Sequence, residues 1–169
     1  HSIRILLLVN LLDMGAFYAV YSFAGTELRR LNDWGASAAG LAMAAYGLGL
    51  AIMTFNGRWI DLLGKRRAAI VALLSLSLVL AMLPWLASLP WAMVVGIMVW
   101  GIVQGAFFTA ITSLATEQIP PLRGVVVALL SASTYLGVTL YTPVTAWLYG
   151  SFGYAAVGLE AACGCALAA

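Results

Sequence analysis

Gly57-Arg58-Trp59-Ile60-Asp61-Leu62-Leu63-Gly64-Lys65-Arg66-Arg67 is the only charged run between two long apolar stretches, and it carries four of the chain's eight basic side chains. A short basic hairpin flanked by apolar segments resists translocation, because Lys and Arg close to helix ends keep such a loop in the cytoplasm. The run therefore predicts both a membrane-embedded fold and its sidedness. Composition agrees: 64% of the 169 residues are hydrophobic and 8% are charged, where a soluble domain carries roughly a quarter. Mean hydropathy is +1.03. The formal net charge of +2 is small and its basic groups are concentrated at one loop, so neither nucleic acid nor an acidic ligand is implied as a partner.

A spanning helix needs about twenty apolar residues, and working outward from the hairpin gives six such stretches. Upstream lie about Ile5 to Ala24 and about Gly35 to Phe55, joined by a polar link, Gly25 to Asp33, in which Glu27, Arg29, Arg30 and Asp33 cancel. Downstream lies about Ala68 to Leu86, leading into Pro84-Trp85 and Pro90-Trp91, a proline break with tryptophans suited to the interfacial belt. About Trp91 to Leu114 follows, then a link, Thr116 to Gly124, containing Pro120-Pro121. About Val125 to Leu148, a turn at Tyr149 to Phe152, and about Gly153 to Ala169 complete the set. With the hairpin inside, Arg4, Arg58, Lys65, Arg66, Arg67 and Arg123 lie inside and Arg29 and Arg30 outside. That count predicts one orientation with both termini cytoplasmic. Because the chain opens on His1 rather than Met and stops within an apolar stretch, it reads as an excerpt of a longer protein.

Ionisable groups at mid-membrane are costly, about 2.5 to 3.5 kcal/mol on insertion scales, so each needs a reason. Asp13 falls ~12 Å into a hydrocarbon core of ~30 Å. Asn10, Asp13, Met14, Phe17 and Tyr21 share one helical face, which belongs toward water or substrate. A second stripe, Trp100, Gln104, Phe107, Phe108 and Ile111, flanks a small-residue groove of Gly101, Gly105 and Thr109 on the fourth helix. Ser131, Thr134, Tyr135, Val138 and Thr142 form a third on the fifth. These predict a shared interior lined by hydroxyls, amides and aromatics, with packing hydrogen bonds as the competing use of the fifth-helix stripe. Asp13 is the leading candidate proton site and Glu160 a second, with a structural role weighed beside it. On the second helix, Gly40 with Ala44 and Gly47 with Ala51 are expected close-approach pairs. Cys163 and Cys165 sit two apart without a nearby His and read as small helix residues, so no metal site and no cofactor is expected. An intramembrane enzyme fails for want of catalytic motifs, since His1 is the only histidine.

Gly57-x-x-x-Asp61-x-x-Gly64-Lys65-Arg66-Arg67 resembles the signature loop of the major facilitator superfamily, which joins the second and third helices of a six-helix half. Glu117 to Gly124, with Pro120-Pro121-Leu122-Arg123-Gly124, resembles the link between the fourth and fifth helices, and Tyr135-Leu136-Gly137 resembles the helix that follows. The similarity covers essentially all of the chain. In the family's N-terminal half, the fourth helix carries an arginine four residues before a glycine; here Gly101 stands at that place, before Gly105. The fifth helix lacks the paired glycines of drug–proton antiporters. Both departures favour the C-terminal half.

The resemblance implies an all-α membrane protein: one domain, 1–169, of six transmembrane helices as two inverted three-helix repeats, about 1–87 and 88–169. It implies proton-coupled efflux of a small organic solute by alternating access, in a sugar-efflux or drug-efflux branch. Asn10, Asp13, Phe17, Tyr21, Trp100, Gln104, Phe108, Ser131, Thr134 and Tyr135 would line the cavity. Gly57, Asp61, Gly64, Lys65, Arg66 and Arg67 would form a conformational latch against the absent N-terminal half. The expected location is the plasma membrane, the inner membrane of a bacterium. The alternative is a stand-alone six-helix subunit that assembles with itself or a partner and transports nothing alone.

Overall fold

The computed structural model describes residues 2–169, with side chains from Ile3 onward, so His1 lies outside the described residues. Every long element is helical: α1 Ser2–Asn32, α2 Ala36–Phe55, α3 Arg58–Leu63, α4 Lys65–Leu86, α5 Pro90–Gln118, α6 Arg123–Phe152 and α7 Tyr154–Ala168, with a 3-10 turn at Pro120–Leu122 before α6. Helices close their backbone hydrogen bonds within the segment, the arrangement that apolar surroundings demand. Five are long and apolar enough to cross a bilayer. The expected sixth crossing corresponds to α7, apolar but 15 residues long, which rises ~22 Å against a core of ~30 Å.

Several boundaries move from their sequence-based places. The expected polar link Gly25–Asp33 is mostly helix, because Glu27 and Arg30 pair at i, i+3 and Leu28 is fully buried. α1 stops where Asp33 takes a left-handed φ of 53°, a conformation Asp tolerates better than most residues. Pro84 lies inside α4 rather than at its break, while Pro90 opens α5. Proline at 84 leaves the Leu80 carbonyl without its usual helical donor. Gly158 of α7 packs there, so closely that a side chain would strike the Pro84 ring and the Leu80 oxygen. The basic hairpin contains α3, and α6 runs through the expected turn to Phe152, ending at Gly153 with φ 78°.

The helices pair in a repeating pattern. α2 packs on α5 as α6 packs on α1, α4 on α5 as α7 on α1, and α4 meets α7. Glycines set both inner contacts: a Cβ on Gly101 of α5 would collide with the Tyr46 carbonyl of α2, and one on Gly137 of α6 with the Leu11 carbonyl of α1. Close backbone approach over small residues is how helices gain packing energy where apolar burial gives none. Gly40 and Gly47, the expected close-approach positions of α2, have nothing within 4 Å. The inner face of α2 instead holds Gly49, Ala45 and Ala42. Large apolar side chains such as Leu41, Phe55, Trp85, Trp91 and Leu167 point outward, and Asn10, Asp13, Glu27 and Gln104 point inward. Apolar outside and polar inside is the distribution a protein adopts with lipid as its solvent.

Long-range contacts fix which helix ends lie together. Asn32 Nδ2 donates to the Ala87 carbonyl at 2.9 Å, and Tyr149 Oη donates to Glu27 Oε1 at 2.8 Å, so the C-terminal ends of α1, α4 and α6 share one end of the bundle. Lys65 pairs with Glu117 at the other, joining the loop end of α4 to the C-terminal end of α5.

Candidate functional site

Asp13 sits in the N-terminal half of α1, one turn before its midpoint, with 1% of its surface exposed. Gln104 of α5 donates from Nε2 to Asp13 Oδ2 at 2.7 Å, and the Gln104 Oε1 accepts from Trp100 Nε1 at 3.3 Å. On the other side Cys165 of α7 points its Sγ at Asp13 Oδ1 from 3.9 Å. Among the described residues Asp13 has no ion-pair partner. An acid held by neutral donors from two other helices, with no cation, is an uncommon arrangement to keep inside a bundle.

One turn earlier, Asn10 Nδ2 reaches α6, with the Leu130 carbonyl at 3.0 Å, Ser133 Oγ at 2.8 Å and Thr134 Oγ1 at 3.0 Å. One turn later the same face of α1 becomes aromatic. The Phe17 centroid lies 5.3 Å from Tyr21, 5.2 Å from Tyr46 and 5.1 Å from Trp100, and Tyr46 lies 5.4 Å from Trp100. The Trp100 ring thus belongs to the aromatic cluster while its N–H feeds the Gln104–Asp13 hydrogen bonds. Tyr18 and Tyr21 give the cluster an exposed edge.

The expected lining residues divide accordingly. Asn10, Asp13, Trp100 and Gln104 come together inside the bundle, all nearly fully buried, and Phe17 and Tyr21 lead outward from them. Thr134 joins through Asn10, whereas Ser131 and Tyr135 are exposed on α6 and Phe108 is half-buried. Ser131 donates to its own helix, at the Val127 carbonyl. Glu160, the second candidate acid, is partly buried on α7 and accepts from Thr145 Oγ1 of α6 at 3.0 Å. Sequence reasoning missed three participants. Tyr46 was detectable as the one aromatic residue in the interior of α2, whose other aromatic, Phe55, is its last residue. Cys165 carried no signal beyond its position. Glu27 was hidden because its charge balanced in the count; yet it is 2% exposed, bound by Arg30 and by Tyr149 of α6.

At the loop end, Asp61, Gly64, Lys65, Arg66 and Arg67 line an open groove of about 570 Å³ with Leu63 and Leu114. Gly64 adopts φ 81° between α3 and α4, a conformation that favours glycine. Gly57 does not share this need, since its φ is −55° and the nearest atom to a would-be Cβ is 3.9 Å away. Lys65 is tied to Glu117, so the two links that the sequence analysis singled out, one before α4 and one after α5, touch.

Comparison with known proteins agrees with this architecture. Residues 5–169 match the family model of the Major Facilitator Superfamily. A Bacillus subtilis (strain 168) relative, described as the uncharacterized MFS-type transporter YwfA, is 32% identical over 151 residues, covering 89% of this chain and 37% of the relative. The chain thus spans just over a third of that protein's length. With five helices long and apolar enough to cross a bilayer, an inward acid and a family match across nearly its whole length, the chain belongs to the major facilitator superfamily, a family of transmembrane transporters.

Proposed function

We propose that the chain is the C-terminal half of a proton-coupled permease, which exports a small organic solute by alternating access. The observation that carries this reading is Asp13: a buried carboxyl with no ion-pair partner among the described residues, connected through Gln104 to the Trp100 ring of an aromatic cluster that reaches the surface. A proton would neutralise such an acid, and solute stacked on Phe17, Tyr21, Tyr46 and Trp100 would bear on the same Trp100–Gln104 connection. Both events then act on one set of hydrogen bonds spanning α1, α5 and α7. Glu160 is the second candidate for proton uptake.

The pairing of α2 on α5 with α6 on α1, and of α4 on α5 with α7 on α1, supports two inverted three-helix repeats, with α7 as the sixth crossing. Repeats of this kind put the substrate site near the bilayer midplane, the depth the sequence leads one to expect for Asp13. The exposed hydroxyls and ring of Ser131 and Tyr135 suit contact with solute or with an N-terminal half, and the share of the relative covered, 37%, leaves room for that half. In this reading the 57–67 loop is cytoplasmic, as are both termini, in a bacterial inner membrane, and Asp61 with its basic neighbours closes the cytoplasmic side against the other half.

The test is Asp13→Asn in the full-length permease reconstituted in proteoliposomes. Solute exchange should persist while the response to an imposed pH gradient disappears. Unchanged gradient-driven transport would remove the proton role of Asp13.

A further inference from the structure

At the end of the bundle away from the basic loop, two concave surfaces adjoin. The first is polar, formed by Thr26, Arg29, Arg30, Asp33 and Trp34 at the end of α1. The second is an apolar groove of about 580 Å³ between α4 and α5, running from Trp91 and Leu86 to Val99 and Leu78. Trp34 of the polar surface and Trp91 of the groove meet edge to face, centroids 6.4 Å apart, so the two surfaces adjoin at this pair of rings. The Asn32–Ala87 hydrogen bond holds the end of α1 against the turn that joins α4 to α5. Along α4 the groove extends from Leu86 to Leu78, eight residues, or ~12 Å, most of the ~15 Å of one leaflet's hydrocarbon. Indole rings at its mouth sit where aromatic belts meet headgroups.

The charges at the mouth are selective. Arg30 gives its Nε and one terminal nitrogen to buried Glu27. Arg29 and Asp33 are exposed, and among the described residues neither belongs to an ion pair. Among the described residues the mouth therefore presents one unpaired cation, Arg29, and one unpaired anion, Asp33, beside an apolar groove. We infer that this composite surface binds a zwitterionic phospholipid with a primary-amine headgroup, of the phosphatidylethanolamine class. Arg29 takes the phosphate, Asp33 accepts from the ammonium, and one acyl chain lies between α4 and α5. A lipid with an uncharged glycerol headgroup answers Arg29 but offers Asp33 only neutral hydroxyl donors, without the charge-assisted bond an ammonium makes. A choline headgroup has no N–H to give Asp33.

Native mass spectrometry of the full-length membrane protein carrying this chain, released from mixed vesicles of phosphatidylethanolamine, phosphatidylglycerol and phosphatidylcholine in equal amounts, tests the assignment. Phosphatidylethanolamine should be retained preferentially. Arg29→Ala should lower that retention about five- to tenfold, the loss of one charge-assisted contact. Asp33→Asn, which keeps the left-handed backbone, should remove the preference over phosphatidylglycerol. Val95→Trp, filling the groove from an exposed position, should reduce retention of all diacyl lipids and leave binding of headgroup-only glycerophosphoethanolamine unchanged. Equal retention of the three lipids, indifference to Arg29→Ala and Asp33→Asn, or a groove occupied by a second copy in a lipid-independent dimer would each overturn it.

Discussion

Gln104 Nε2 and Asp13 Oδ2 lie 2.7 Å apart, and that single contact links α1 to α5 at the middle of the bundle. Neither group has water to fall back on, since Gln104 is fully buried and Asp13 nearly so. Removing one partner leaves the other unsatisfied, which costs about 1–3 kcal/mol, whereas removing both together costs less. Gln104→Leu should therefore lower thermal stability more than the double variant Asp13→Leu/Gln104→Leu. A double-mutant cycle read by thermal unfolding in detergent should give a coupling of about 1–3 kcal/mol. Additive effects would mean that the two side chains do not depend on each other.

Glu27 makes a second buried contact, at the far end of α1. Its Oε1 accepts from Tyr149 Oη at 2.8 Å, while the Tyr149 ring stacks on Phe23 with centroids 4.1 Å apart. Tyr149→Phe keeps the stacking and deletes the donor, so it isolates the hydrogen bond. The expected loss is about 1.5–3 kcal/mol, the range for a bond to a charged group, measured as a lowered unfolding midpoint. Tyr149→Leu should cost more, because the Phe23 contact goes as well.

How far these features were legible in the sequence follows from what hydropathy reports. It separates lipid from water, so the apolar runs, the basic loop and Asp13 as an expensive residue were all visible. It does not separate lipid from a neighbouring helix, because both are apolar. That is why Gly40 and Gly47 were expected as close-approach positions, whereas of the three glycines of α2 it is Gly49 that meets the backbone of α5. Asn10, Asp13, Phe17 and Tyr21 were grouped on one face by their spacing, but a periodicity cannot say that the first two are enclosed by α5, α6 and α7 while Tyr21 reaches the surface. Glu27 was misread for another reason. Counting charge cancelled it against its neighbours, as its pair with Arg30 bears out, but that count says nothing of burial, and its second partner, Tyr149, is 122 residues away, beyond the reach of any local pattern.

Glycine substitutions turn the packing into a direct measurement. At Gly101 and Gly137 a Cβ would run into the Tyr46 and Leu11 carbonyls, and a backbone oxygen cannot rotate away as a side chain does. Gly101→Val and Gly137→Val should each force the paired helices apart and abolish accumulation of folded protein, read by size-exclusion chromatography after expression. Gly40→Ala and Gly47→Ala meet nothing within 4 Å. They should be neutral or stabilising by about 0.5–1 kcal/mol, the helical gain of alanine over glycine. Equal tolerance at all four positions would mean that α2–α5 and α6–α1 are not in close contact.

The two glycines of the basic loop should separate in the same way, though for a conformational reason. Gly64 holds φ 81° and ψ 133° where α3 gives way to α4, with no atom near a would-be Cβ. A substitution there is costly through backbone strain alone, about 1–3 kcal/mol for a non-glycine residue in a sparsely populated region. Gly57, at φ −55° and ψ −17°, already has a conformation any residue adopts. Gly64→Ala should displace Lys65 from Glu117, so a Lys65→Cys/Glu117→Cys pair that cross-links readily beside Gly64 should do so more slowly beside Ala, while Gly57→Ala leaves the rate unchanged. Equal cross-linking in both backgrounds would show that Gly64 does not set the position of the loop against α5.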